Sequence, residues 1–306
     1  MFKRLRNRIR TPYLLRKKEF VSTWKTDNAG VSNSTSITLP LVPGTHDFWV
    51  NWGKDGKRDH ITAYDQAEVT HDYGVAGTYT PRITGTIIGW RFNNGGDKLK
   101  ITNISRWGCL RLVNEGSYFT GCENMRVTAT DTLNTYGIIN FSSMFFSCKL
   151  LNRNICASNF SSGTNFANFQ QDAQTFNQPV CYRLPSATSI EGFFAGNTLF
   201  NQSLDDMYIP LITSFDWLLS NCPAFDQSLA GVIIQNITTM INLLLASRLS
   251  VANFSSTLIA WQAQPHQPNV SVNFGGSKII EGSPAEDAMD LLIGDDGWTI
   301  LYGGYA

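Results

Sequence analysis

The feature that most constrains this chain is an internal period of about 25 residues, which points to a repeat array. Phe176-Asn177-Gln178-Pro179 recurs as Phe200-Asn201-Gln202-Ser203-Leu204 and again as Phe225-Asp226-Gln227-Ser228-Leu229, at steps of 24 and 25. A second segment travels with it. Thr188-Ser189-Ile190-Glu191-Gly192-Phe193-Phe194 corresponds to Thr213-Ser214-Phe215-Asp216-Trp217-Leu218-Leu219 and to Thr238-Thr239-Met240-Ile241-Asn242-Leu243-Leu244. Carried backwards, this register gives apolar anchors at Phe119, Phe145, Phe169, Phe194, Leu219 and Leu244, separated by 26, 24, 25, 25 and 25 residues.

Three residues after each anchor stand Cys122, Cys148, Asp172, Asn197, Cys222 and Ser247. A small polar side chain placed there sits where the chain turns away and can satisfy backbone groups of the neighbouring loop. Half of the six cysteines are thereby read as repeat positions. No CxxC pair occurs and there are only four histidines, so the pattern gives no zinc site. The Gln178, Gln202 and Gln227 column is expected to form an amide ladder between coils about 4.8 Å apart, with a ligand-binding stripe as the alternative.

The repeats resemble the BspA-like leucine-rich-repeat family of surface proteins, from about residue 105 to the end. Met144-Phe145-Phe146-Ser147-Cys148 and the three F-N/D-Q segments carry the likeness, which is degenerate around Phe160–Phe169. Ser255–Trp261, Val270–Gly275 and Gly297–Ile300 resemble that family's C-terminal capping unit, with a short helix expected over Ala285–Leu292. Upstream, Trp52-Gly53-Lys54-Asp55-Gly56, Thr70-His71-Asp72-Tyr73 and Gly77-Thr78-Tyr79 resemble the signature of PKD-type immunoglobulin-like modules, with Lys54 intruding in the turn. Residues 37–41, 47–52 and 78–83 read as short strands between turn residues. The fold class expected is mainly β: a small β-sandwich followed by a leucine-rich-repeat-type solenoid with short helical or turn segments and a C-terminal cap. The boundaries expected are a basic arm over 1–18, the sandwich over 19–95, the solenoid over 96–252 and the cap over 253–306.

Charge divides the chain unevenly. Lys3, Arg4, Arg6, Arg8, Arg10, Arg16, Lys17 and Lys18 supply eight of the 24 basic residues before the first acid, Glu19. The remainder carries 16 basic and 24 acidic side chains, a net of −8. A basic arm on an acidic body suits docking to an acidic partner. Pro12, Arg16, Lys17 and Lys18 interrupt any apolar stretch after the basic start, so an ordinary signal peptide is not expected. Nor is a membrane span, since no apolar run reaches 18 residues.

Catalytic signatures are not found. The sequence has no G-x-S-x-G, HExxH, Walker or dinucleotide motif. His46, His60, His71 and His266 fall in no nucleophile–base pattern. Asp205-Asp206 and Asp295-Asp296 lie in turn-like stretches, and His71 and Tyr73 read as packed positions. The expectation is therefore a non-enzymatic binding or structural protein without cofactor or metal. On this reading it is a bacteriophage virion component, held by its basic arm to other virion proteins, in multiple copies. Its repeat surface would meet a host-surface glycan or protein, with Tyr182, Tyr208 and Trp217 as candidate contacts, or would stabilise the particle. A BspA-like adhesin on a bacterial cell surface is the alternative.

Overall fold

The computed structural model describes residues 19–54 and 56–306, so the basic residues Lys3 to Lys18 lie outside it. The described chain is mainly β and divides into two compact units.

The first unit comprises residues 19–113 and 118–136. Its strands are β1 (Phe20–Lys25), β2 (Ser36–Thr38), β3 (Leu41–Asn51), β4 (Arg58–Ile61), β5 (Thr70–Asp72), β6 (Thr78–Tyr79), β7 (Arg82–Trp90), β8 (Ile101–Arg106), β9 (Leu110–Arg111) and β10 (Arg126–Val127). Eight of them form one mixed sheet, ordered β10-β8-β1-β7-β3-β4, with β6 beside β1 and β9 beside β7. Strand β3 alternates as a half-buried strand must: His46, Phe48 and Val50 are buried while Asp47 and Trp49 face out. Phe20, Trp24, Trp90 and Phe92 pack into an aromatic core, with Phe20 and Trp90 edge-on at 5.0 Å. At Gly44 the β3–β7 register slips, and a Cβ there would come within 2.0 Å of the Ile88 carbonyl oxygen.

Prolines divide two of the expected strands. Pro40 ends the 37–41 segment as a single strand, so β2 pairs with β5 in a separate two-stranded sheet and Leu41 begins β3. Pro81 similarly parts β6 from β7; a residue without an N–H interrupts the ladder. His71 stacks on Trp52 at 4.6 Å, and the Tyr73 hydroxyl donates to the Trp52 carbonyl at 3.1 Å.

A buried charged pair fastens the loop between β1 and β2. Asp97 accepts from the backbone N–H groups of Val31, Ser32 and Thr38 and from the Ser32 hydroxyl, at 2.6–3.0 Å. The Lys100 ammonium reaches the carbonyl oxygens of Ser32, Asn33 and Ser36 at 2.7–3.0 Å. Both side chains are essentially inaccessible.

The second unit comprises residues 114–117 and 137–306. Its 25-residue units are built from turns. Single parallel bridges join Asn140 to Asn165, Asn165 to Ser189, and Ser214 to Thr239. A six-residue turn follows each bridge, at 142–147, 167–172, 191–196, 216–221 and 241–246. Each turn hydrogen-bonds to the next by backbone: Ser143 N–H to Ala167, Asn168 to Glu191, Gly192 to Asp216 and Trp217 to Ile241, at 2.7–3.1 Å. Two residues of every turn adopt positive φ, among them Ser143 and Ser147, Asn168 and Asp172, Gly192 and Gly196, and Trp217 and Asn221.

The last part adds β11 (Thr239–Met240), helix α1 (Val251–Ala263), β12 (Ser271–Asn273), helix α2 (Pro284–Gly294) and β13 (Thr299–Leu301). The three strands form a parallel sheet in the order β11-β12-β13, and the two helices pack together. Ser250 and Ser283 cap the helices by accepting from Asn253 and Glu286 N–H, and Pro284 opens α2 where its missing donor costs nothing.

This arrangement corrects the expected fold class. In place of a separate two-sheet sandwich over 19–95, the described residues have one eight-stranded mixed sheet, which β8, β9 and β10 enter from beyond residue 95. A leucine-rich-repeat solenoid is not the class these elements define either. Left-handed residues twice in every turn are incompatible with a continuous strand or a helical segment, so bridges of single residues stand where repeat strands were expected. Mainly β is what holds.

Candidate functional site

The turn repeats sort their side chains into interior columns and an outer surface. Positive-φ residues fix the register: 143, 168, 192, 217 and 242 are equivalent, as are 147, 172, 196, 221 and 246. The structural anchors are therefore Phe145, Gln170, Phe194, Leu219 and Leu244. This shifts one unit by a residue. Phe169 is not the anchor of its repeat, and the buried position three residues on is Ala173, not Asp172. Gln170 is fully buried, and its Oε1 accepts the Tyr182 hydroxyl at 3.0 Å.

Two members of the small polar column, Cys222 and Ser247, work on the neighbouring backbone, whereas the buried Asn197 amide has no hydrogen-bond partner among the described residues. Ser247 Oγ accepts from the Cys222 N–H at 2.8 Å and donates to the Leu219 carbonyl at 2.9 Å. Cys222 donates its thiol hydrogen to the Phe194 carbonyl at 3.1 Å. Burial pushes the Cys222 thiol up to about 12, so at neutral pH it is a weak donor and not a nucleophile.

Gln178, Gln202 and Gln227 do not bond to one another. Each donates to an asparagine of the preceding unit: Gln178 to Asn152 Oδ1 at 3.0 Å, Gln202 to Asn177 at 2.8 Å and Gln227 to Asn201 at 2.9 Å. The same oxygens accept the backbone N–H groups of Asn177, Asn201 and Asp226. The ladder is thus carried by the Asn152, Asn177, Asn201 and Asp226 column, whose meaning the glutamines masked. Cys156 and Cys181, 25 residues apart, form a disulfide between successive units; it joins equivalent positions of the period and was not expected from their spacing.

The three candidate contact residues separate. Tyr182 is 1% exposed and packs among Phe160, Phe169 and Phe193, which removes it from any contact surface. Its hydroxyl serves Gln170, and burial raises its titration above the ordinary tyrosine range. Tyr208, 45% exposed, lies under the Arg183 guanidinium at 4.8 Å and borders an apolar recess with Leu204, Met207, Phe215 and Ile233. Trp217, 40% exposed, borders a different and more polar recess.

That polar recess, about 320 Å³, lies on the turns of three successive units. Asn168, Gln171 and Asp172 come from one turn, Glu191, Gly192 and Gly196 from the next, and Trp217 and Asn221 from the third. The glycines create it. At the two left-handed positions of the middle turn no side chain stands, and a Cβ at Gly192 would meet Asn168 Oδ1 at 2.5 Å. One at Gly196 would meet Asp172 Oδ1 at 2.0 Å. The amide and carboxylate thus lean over the glycines and need them bare. Burial raises the Asp172 carboxyl above the ordinary range, with Lys149 opposing. The side chains of Asn168, Gln171 and Glu191 make no hydrogen bond among the described residues, and Trp217 presents its ring beside them. This arrangement can stack a flat apolar face and exchange hydrogen bonds with a polar rim. Sequence reading singled out Trp217 alone. Two glycines four residues apart, where each of the other four turns carries a side chain at both positions, were the signal for the rest.

Among the described residues no group of three or more histidine, cysteine, aspartate or glutamate side chains is placed to hold a metal ion. No described helix is long and apolar enough to cross a membrane. Asp205-Asp206 falls in a turn, and Asp295-Asp296 follows the end of α2, where Asp296 pairs with His266 at 3.0 Å.

Fold and recess together define a mainly-β protein with stacked 25-residue turn units and a polar cleft on their surface. The chain matches the family described as "Mycoplasma protein of unknown function, DUF285" over residues 113–230 and 182–261. These overlapping stretches cover the turn units and just under half of the chain. Neither a curated protein nor a solved structure matches it.

Proposed function

We propose that the chain is a non-enzymatic binding and structural protein, a bacteriophage virion component attached through its basic N-terminal segment and presenting the turn units to a host surface. The observation that carries the reading is the division of labour in those units. The Asn–Gln bonds, the buried Ser247 hydroxyl and the Cys222 thiol join one unit to the next, while the outer turns around the recess hold Asn168, Gln171, Glu191 and a half-exposed tryptophan whose side chains make no hydrogen bond among the described residues. The eight basic residues of 1–18 against a body of net −8 support attachment to an acidic partner surface. Repeated weak contacts over many copies would supply affinity through avidity.

A second reading, an adhesin on a bacterial surface, is favoured by the Cys156–Cys181 disulfide, which suits a protein working outside a reducing cytosol. Mass spectrometry of purified particles separates the two. The virion reading expects the chain in them, and expects deletion of residues 1–18 to abolish incorporation while circular dichroism of the truncated protein stays native. Particles lacking the full-length chain, with the protein found on cell envelopes, would establish the adhesin instead.

A further inference from the structure

Trp217 is the residue whose placement the fold explains least. The equivalent position of the other units is occupied by Ser143, Asn168, Gly192 and Asn242, residues that are small or carry a short amide. Asparagine and glycine tolerate the left-handed region, whereas a bulky side chain there is an outlier that the surroundings must hold in place. Trp217 has φ of 60° and nevertheless leaves 40% of its surface in water. A strained, half-exposed aromatic is expected where it does something other than pack. It stands beside the only unit among the five turns at 142–246 with glycine at both left-handed positions, so the ring borders open space.

The rim narrows what that space accepts. Asn168, Gln171 and Asn221 offer both donors and acceptors, and Asp172 and Glu191 offer carboxylate acceptors. Hydroxyl groups, which donate and accept at once, suit such a mixed rim. An indole face suits the flat C–H face of a sugar ring. Two carboxylates bordering the same recess oppose an anionic ligand. Apolar lining, which would favour a lipid or an aromatic peptide side chain, belongs to the separate recess around Tyr208 and Ile233.

We propose that the Gly192–Gly196 cleft is a binding site for a neutral pyranose unit of a polysaccharide, stacked on Trp217 and hydrogen-bonded by Asn168, Gln171, Asp172 and Asn221. This rests on the surface-recognition reading above and gives it a ligand class. The glycines keep the cleft open, Asn168 and Asp172 are held against them, and the tryptophan sets the plane of the sugar. A single site of this size binds weakly, in the millimolar range or somewhat better, and gains strength from copies arrayed on one particle.

The test uses the full-length chain, immobilised in many copies and exposed to neutral oligosaccharides of hexose and N-acetylhexosamine and to sialylated and uronate-containing ones. Binding to at least one neutral glycan is expected, with the anionic counterparts at least tenfold weaker. Trp217→Asn places the residue of Asn168 and Asn242 at the same backbone position, so the fold should stand. Its binding should fall at least tenfold while its circular dichroism and thermal midpoint remain close to those of the parent. Asp172→Asn, which keeps the shape and removes the charge, should weaken neutral sugars less than Trp217→Asn does. Unchanged affinity in Trp217→Asn, preference for anionic glycans, or no retention of any glycan would overturn the proposal. So would calorimetric binding of calcium alone that Asp172→Asn abolishes. Incorporation into particles is scored on the same variants. Its persistence alongside absent sugar binding would sink the cleft proposal and leave the virion reading intact.

Discussion

Replacing Asp97 by alanine is expected to cost about 3–5 kcal/mol of stability, among the largest single effects in the molecule. Removing one member of a buried charged pair leaves the other without compensation in a low-dielectric site. Here the survivor would be Lys100, whose ammonium is inaccessible and already held below the ordinary lysine range by burial, with Asp97 opposing that shift. The direct ion pair is long, 3.9 Å. Much of the loss would therefore come from four donors left without their carboxylate: the N–H groups of Val31, Ser32 and Thr38 and the Ser32 hydroxyl. The double variant Asp97→Ala/Lys100→Met should cost clearly less than the sum of its single changes, because the uncompensated charge goes too. Urea unfolding of the four proteins measures this. Additive losses would show that the two side chains act independently.

The second large effect is expected at Phe194, the anchor of the third of the five turns. It is fully buried between Phe193 at 4.6 Å and Phe200 at 4.5 Å, the latter nearly coplanar at 8°. Phe176, Phe200 and Phe225 form a ring stack of about one unit's spacing, 6.0 and 5.8 Å between centroids, and Phe194 leans on its first two members. Phe194→Ala removes most of a buried aromatic and leaves a cavity that the stacked turns cannot close, at a cost of about 3–5 kcal/mol. Leu199, 54% exposed in the same unit, provides the contrast: alanine there should shift stability by no more than about 0.5 kcal/mol. Equal losses at both positions would contradict the assignment of the interior.

The period was legible because its apolar positions recur regardless of what local structure they adopt. Phe145, Phe194, Leu219 and Leu244 are buried as that regularity requires. What the units are made of was much less legible. The left-handed pairs that turn the chain are occupied by Ser, Asn, Asp, Gly, Trp and Ala, so no residue type announces them, and the leucine-rich-repeat expectation filled that gap with strands. Gln170 shows why register was misread in one unit. A buried glutamine answering a buried tyrosine occupies an apolar column, and the neighbouring Phe169 took its place in the alignment. In the first unit, the sheet accepts β8 to β10 from segments that the repeat register had claimed, because backbone pairing is indifferent to the period. Of the candidate site, the exposed tryptophan was readable and the cleft was not. A cleft made by missing side chains appears only when equivalent positions of three turns are set side by side.

The central claim is that residues one period apart are structural neighbours, and cystine mapping tests it most directly. Cys156 and Cys181 form a disulfide, while Cys122, Cys148 and Cys222 are fully buried. After mild oxidation of the native protein, alkylation and non-reducing digestion, one linked peptide pair containing Cys156 and Cys181 is predicted. Cys122, Cys148 and Cys222 should take up alkylating reagent only after denaturation. A linkage involving any of those three, or six cysteines all alkylated in the native oxidised protein, would contradict the register of stacked 25-residue units.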